Sequence, residues 1–101
     1  MTARIMIQRR VAKGLEAELA PLLAQLRYLA RRSPGYLGGE TLRNADDSEQ
    51  QLVISNWASL SDWERWVESQ ERQAVQKEVD ELLGEPTWYQ VFIPEDDRLG
   101  S

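Results

Sequence analysis

The chain has 101 residues, 42% of them hydrophobic and 29% charged, which gives room for one globular domain and no more. It holds no cysteine and no histidine, which excludes disulfides, thiolate metal sites, cysteine nucleophiles and the usual histidine base or metal ligand. A net charge of −5 speaks against nucleic acid as a partner, which would call for a basic face. Residues 1–50 sum to +2 and residues 51–101 to −7, a split that would help two faces attract and that reads more plainly as solvated surface.

No apolar run approaches the roughly 20 residues that cross a bilayer. The opening Met-Thr-Ala-Arg leads directly into a short amphipathic run and not into a signal-peptide core. No membrane association and a cytoplasmic location are therefore expected.

Residues 3–11 alternate as a strand does, with Ile5, Ile7, Arg9 and Val11 on one side and Arg4, Met6, Gln8 and Arg10 on the other. After Lys13-Gly14 the period changes. Leu15, Leu19, Leu22, Leu23, Leu26 and Leu29 or Ala30 fall three and four apart, which predicts an amphipathic helix to Arg32. Pro21 lies inside it and would leave the Ala17 carbonyl unpaired, so a kink or a late start is expected. Ser33-Pro34-Gly35 ends the helix.

Tyr36 to Arg43 reads as a second strand, with a bulge or close backbone approach at Gly38-Gly39. Asn44 to Ser48 forms a polar hairpin connection, and Gln51 to Trp57 a third strand. Ser59 is a suitable N-cap, with Asp62 three residues on. The helix that follows carries Leu60, Trp63, Trp66 and Val67, pauses near Ser69-Gln70, and resumes through Ala74, Val75, Val79, Leu82 and Leu83. Gly84 and Pro86 stop it. Thr87 to Ile93 is a fourth, aromatic strand, and residues 96–101 form an acidic tail beyond a domain spanning residues 1–95.

The order β-α-β-β-α-β predicts an α+β fold of the ferredoxin-like kind: a four-stranded antiparallel sheet with two helices on one face. The other face would carry Met6, Gln8, Val53 and Trp57, too apolar for water. A second copy of the sheet packed against it is the simplest cover, and on that reading a charge at Trp57 would break the pair. A core this small also gains from burying a face against a partner.

Three segments resemble the antibiotic biosynthesis monooxygenase (ABM) family: Pro34-Gly35-Tyr36-Leu37-Gly38-Gly39 after a leucine-rich helix, Asn56-Trp57-Ala58-Ser59 followed by Trp63, Trp66 and Ser69, and Glu85-Pro86 before the last strand. The resemblance spans about residues 3–93. It implies a homodimeric α+β barrel with two sheets face to face, and a small-molecule pocket between the helices and the sheet of each subunit. The activities it implies are cofactor-independent oxygenation of polycyclic phenols, quinol oxidation and haem degradation.

Trp66 resembles the helix tryptophan that walls the family's pocket, where a rigid ring can stack on a flat ligand. The plain alternative is that Trp63 and Trp66 belong to the apolar stripe of their helix. The haem-degrading branch carries a histidine ten residues beyond that tryptophan, where this chain has Gln76, and an asparagine on the first strand, where it has Ile7. Tyr28, Tyr36, Tyr89 and Met6 stand away from the family's ligand position. Haem degradation is disfavoured, and neither cofactor nor metal is expected.

Oxygenation without a cofactor asks for an apolar cavity, a proton acceptor and donors for a developing oxyanion. Asn56, Gln76 and Arg9 are candidate donors and Tyr36 or a carboxylate a candidate relay. Asn56 reads equally well as a strand-end residue bonding backbone, and Arg9 as a surface charge. The pocket would be lined by Ile5, Ile7, Leu23, Trp63, Trp66 and Gln76. Glu40 would pair with Arg10 or Arg43 within the barrel and fix its register. The glycines lack the spacing of a phosphate loop. The expected function is thus oxidation of a small aromatic phenol or quinol. The alternative, motivated by the missing histidine, is a non-catalytic dimeric small-molecule-binding or stress-response domain.

Overall fold

Alternation along Ala3–Arg10, strand β1, sends Ala3, Ile5, Ile7 and Arg9 to one side of the backbone, and this strand lies inside the sheet in the computed structural model, which describes residues 1–95. The expected acidic tail at 96–101 lies outside the described residues. Strands β2 (Tyr36–Arg43), β3 (Gln50–Trp57) and β4 (Trp88–Phe92) complete one antiparallel sheet in the order β2-β3-β1-β4. With helices α1 (Glu16–Arg31), α2 (Leu60–Glu68) and α3 (Gln70–Leu83), the chain has the ferredoxin-like order predicted from its periodicity.

Helix α1 runs through Pro21 without interruption. Ala17 and Pro21 are both exposed, so water can serve the carbonyl that the proline leaves unpaired. The predicted pause after α2 is a clean break. Ser69 closes α2 with extended backbone, and its hydroxyl then caps α3 by accepting from the Arg72 N–H. Ser59 caps α2 in the expected way, its Oγ accepting from the Asp62 N–H at 3.1 Å and donating to the Asp62 carboxylate at 2.8 Å. Gly35 holds the turn between α1 and β2. Its φ is +87°, and any Cβ there would collide with the Asp62 side chain.

One extra residue enters β2 between Tyr36 and Gly38. The bulged residue is Leu37, slightly ahead of the glycine pair where a bulge was expected. Because strand side chains alternate, this insertion puts Tyr36 on the same side as Gly39 and Thr41 and opposite Trp57. Gly39 runs so close to β3 that a Cβ would strike the Ile54 carbonyl.

The register of β1 against β3 pairs Ala3 with Trp57, Ile5 with Ser55 and Ile7 with Val53. Directly opposed residues share a face, so Val53 and Trp57 lie under the helices. This corrects the expectation that both belong to the open face: Trp57 is completely buried. Met6 and Gln8 do lie on the open face, where Met6 pairs with Ile54 and Gln8 with Leu52 and Trp88. Leu42 and Phe92 extend the same apolar surface, and Trp88 is 70% exposed.

Under the helices the core divides in two. Ala3, Ile5, Trp57 and Trp63 form one cluster, joined by Ile7, Tyr36, Trp66, Val67 and Tyr89. Val11, Leu19, Leu23 and Val79 form the other, which knits α1 to α3 with Leu15, Leu22, Leu26, Leu82 and Leu83. Among the described residues, no helix is long and apolar enough to cross a membrane.

A candidate small-molecule site between the helices and the sheet

A cavity of about 420 Å³ separates the two clusters and takes its walls from both. Strands β1 and β3 supply Ile7, Arg9, Val53 and Ser55 at its floor. Helix α1 contributes Leu23 and Leu26, α2 contributes Trp63 and Trp66, and α3 contributes Arg72 and Gln76. The exposed lining residues Arg27 and Arg31 of α1 and Glu40 and Thr41 of β2 mark the opening, which lies between α1 and the sheet edge.

Aromatic rings set one end of the cavity. Trp57 anchors them from below, with Tyr36 at 5.2 Å and Trp63 at 6.0 Å in tilted contacts and Trp66 stacked at 5.9 Å. Tyr89 continues the series 5.9 Å from Trp63. The Trp57 indole N–H is satisfied by the Ser55 hydroxyl at 2.8 Å. A layer of rings fixed in this way presents rigid apolar faces at little entropic cost.

The charged lining is mostly cationic. Arg9 is buried, with 8% of its surface exposed. Its Nη1 donates to Gln51 Oε1 at 3.1 Å, and its enclosed Nε has no partner. Burial lowers the Arg9 pKa, the Tyr89 phenol and Asp80 oppose that effect, and Arg27 and Arg72 add to it. Arg72, also buried, donates from Nη1 to the Val67 carbonyl at 3.3 Å and from Nη2 to the Tyr89 hydroxyl, and its guanidinium lies over the Tyr89 ring. Burial raises the Tyr89 phenol above its ordinary pKa, against the pull of Arg72 and Arg9, so Tyr89 is a neutral donor and not a base near pH 7.

The structure brings together Arg9, Gln76, Trp66, Trp63, Ile7 and Leu23 of the residues expected at the site. Two expectations need correction. Asn56 pairs with Arg4 on the opposite side of the sheet and accepts from its Nε at 3.1 Å, because it is one residue out of phase with Ser55. Ile5 is completely buried in the tryptophan cluster and does not reach the cavity.

Gln76 is present in an altered role. Its amide nitrogen donates to Asp80 and to the Thr87 hydroxyl, both at 2.9 Å, and Thr87 donates to the same Asp80 oxygen at 3.0 Å. Its amide oxygen is the group left over, an acceptor where a donor was expected. Within one chain Arg10 is held by Asp47 at 2.6 Å and by Glu49 at 3.5 Å, not by Glu40. Arg72 and Ser55 were not anticipated. For Arg72 a signal existed: Arg72, Val75, Gln76 and Val79 follow helical spacing, so two polar residues share the buried stripe of α3.

With this geometry in view, comparison with known proteins is decisive at the level of family. Residues 2–78 match the model of the antibiotic biosynthesis monooxygenase family, and the chain belongs to that family. Among solved structures it is similar to SnoaB, a cofactor-independent oxygenase from Streptomyces nogalater, with a TM-score of 0.78 at 17% identity over 95% of this chain and 96% of that one. A conserved protein from Methanosarcina mazei Go1 matches with a TM-score of 0.85 at 13% identity over 94% of each chain. Rv0793 from Mycobacterium tuberculosis matches with a TM-score of 0.81 at 18% identity over 96% of this chain and 98% of that one. At such identities the likeness carries the fold alone. No curated protein matches the sequence.

Proposed function

We propose that this chain is a homodimeric monooxygenase that oxidises an aromatic phenol or quinol with dioxygen and without a cofactor. The observation that carries the reading is the cavity itself. Its volume of about 420 Å³ falls in the range of roughly 300–1,000 Å³ typical of small-molecule sites, and rings wall one end while guanidinium groups line the floor and two helices. The reaction class ascribed to SnoaB, a structural relative, agrees with it.

The chemistry suits these residues. An anthrone-type ring would lose a proton to water at the cavity mouth and form an electron-rich anion, which the buried guanidinium groups of Arg9 and Arg72 stabilise. The anion passes an electron to dioxygen, a C–O bond forms, a proton returns to the peroxide, and loss of water cleaves the O–O bond. The ring CH₂ becomes a carbonyl, one oxygen atom stays on the product and the other leaves as water, so the four electrons that the substrate gives up reduce one O₂. Trp66 and Trp63 would hold the ring plane, and Tyr89 or Ser55 would donate to oxygen. The apolar open face of the sheet, with Met6, Leu42, Leu52, Ile54, Trp88 and Phe92, is the surface that a second copy would cover.

A second reading, a non-catalytic dimeric small-molecule-binding or stress-response domain, is favoured by one observation. Among the described residues that line the cavity there is no free base: the chain has no histidine, and Glu40, opposite Ile54, belongs to the other face of the sheet. An oxygen electrode separates the two. Consumption above the uncatalysed rate with anthrones or hydroquinones supports the oxygenase. A ligand-dependent rise in melting temperature with no consumption moves the assignment to binding.

A further inference from the structure

We infer that the cavity takes an aromatic ligand carrying a carboxylate, and that the Arg9 guanidinium receives that carboxylate. The inference rests on reading the cavity as an aromatic-binding site and adds the charge of what binds. The whole chain is acidic, at −5, yet the cavity is lined by four arginines, Arg9, Arg27, Arg31 and Arg72, and the acidic residue at its rim, Glu40, stands opposite Ile54 on the other face of the sheet. Ion pairs among the described residues form elsewhere, at Arg10 and Arg65. None neutralises the cavity.

Arg9 is the sharpest case. A guanidinium presents five N–H donors, and the hydrogen bond found for this one runs from Nη1 to Gln51. Its Nε is sealed from solvent without an acceptor. A buried charge is strongly unfavourable unless it is paired and hydrogen-bonded. Asp80 is near enough to favour the charged state of Arg9, but among the described residues no ion pair joins the two, and Asp80 Oδ1 is engaged by Gln76 and Thr87. Arg72 is better satisfied, by the Val67 carbonyl and the Tyr89 hydroxyl. The unmet demand is therefore centred on Arg9, on the cavity floor beside Ile7 of the same strand face. A guanidinium pairs well with the two oxygens of a carboxylate, and in Arg9 the N–H groups other than the enclosed Nε are those that a ligand in the cavity would meet. Arg27 and Arg31 at the rim would draw such an anion inward.

Two probes that differ in the carboxylate alone test this: hydroxynaphthoic acid and naphthol, titrated calorimetrically into the native chain and into Arg9→Met. The native chain should bind the acid at least roughly tenfold more tightly than naphthol, the scale of hydrogen bonds to a charged group. Arg9→Met should erase that difference, weakening the acid far more than naphthol. Its melting temperature without ligand should be equal or higher, because an under-satisfied buried charge is gone. Should Arg9→Met fail to fold, Arg9→Gln, which keeps a donor for Gln51, is read in the same way. Equal affinity of the native chain for both probes overturns the inference while the aromatic site stands. A preference for the acid that survives in the variant overturns it as well. Binding of neither probe overturns the aromatic site and the inference with it.

Discussion

The indoles of Trp57 and Trp66 are stacked, with ring centroids 5.9 Å apart and planes 27° from parallel, although one comes from the sheet and the other from α2. Trp57 is sealed in the core, while Trp66 shows its other surface to the cavity. One ring is thus foundation and the other wall.

The two tryptophans should separate in mutagenesis. Trp57→Ala should cost about 3–5 kcal/mol of stability, the range for large aromatic truncations in a core. Trp66→Ala, at a half-buried position, should cost less and should weaken binding of an aromatic ligand about tenfold or more, since stacking beyond area burial is worth about 0.5–1.5 kcal/mol and the wall itself is lost. Urea unfolding and calorimetric titration of the two variants check the pair. Equal losses of stability would show that Trp66 is also foundation.

Tyr89 predicts a dependence of stability on alkaline pH. Its folded pKa is raised, chiefly by burial, so the neutral phenol is the form that the fold favours. That contribution is fully present below the unfolded phenol value of about 10 and is lost as pH rises through the folded value. Tyr89→Phe should flatten this alkaline limb of the stability curve. Denaturant midpoints between neutral pH and pH values above that of an ordinary phenol provide the measurement, and an unchanged slope would remove Tyr89 as its source.

Gly35→Ala should destabilise by about 1–3 kcal/mol, the cost of holding a residue with a side chain at positive φ, with more added by the collision with Asp62. Asp62→Gly, which removes the Cβ, Cγ and Oδ2 that occupy the space, should return part of that loss and not all of it. A thermal-melt double-mutant cycle reads the coupling directly.

The open sheet face predicts self-association. Sedimentation of the native chain should give a dimer, and Ile54→Lys, with its charge on that face beside Met6, should give a soluble monomer or a far weaker dimer. Trp57→Asp tests something else, because the residue lies under the helices; it should unfold the chain.

How much of this was legible in the sequence depends on the range of the contacts involved. The break at Ser69, the stop at Gly84 and Pro86 and the cap at Ser59 follow from residues within a few positions of one another, and they fall where expected. The face of Trp57 and Val53 follows from the β1/β3 register, which joins residues about fifty apart, and alternation within one strand leaves that choice free. The same parity takes Asn56 out of the site. Arg9 was legible in part: it shares a side of its strand with Ile5, Ile7 and Val11, a pattern that foretells burial. Reading it as a surface charge followed the habit of arginines in general, and what overrides that habit is the cavity, which exists only once α1, α3 and the sheet meet.

Leu37 gives the fold a way to change its ligand that no substitution offers. As the surplus residue in β2, it sets which side Tyr36, the first residue of that strand, takes. Deleting it would turn Tyr36 out of the cavity and onto the surface proposed to meet a partner, while the rest of the lining kept its composition. Chain length at this point therefore decides which face of the sheet Tyr36 serves. Among relatives that share the fold at low identity, a gain or loss of one residue here would remodel pocket and interface in a single event.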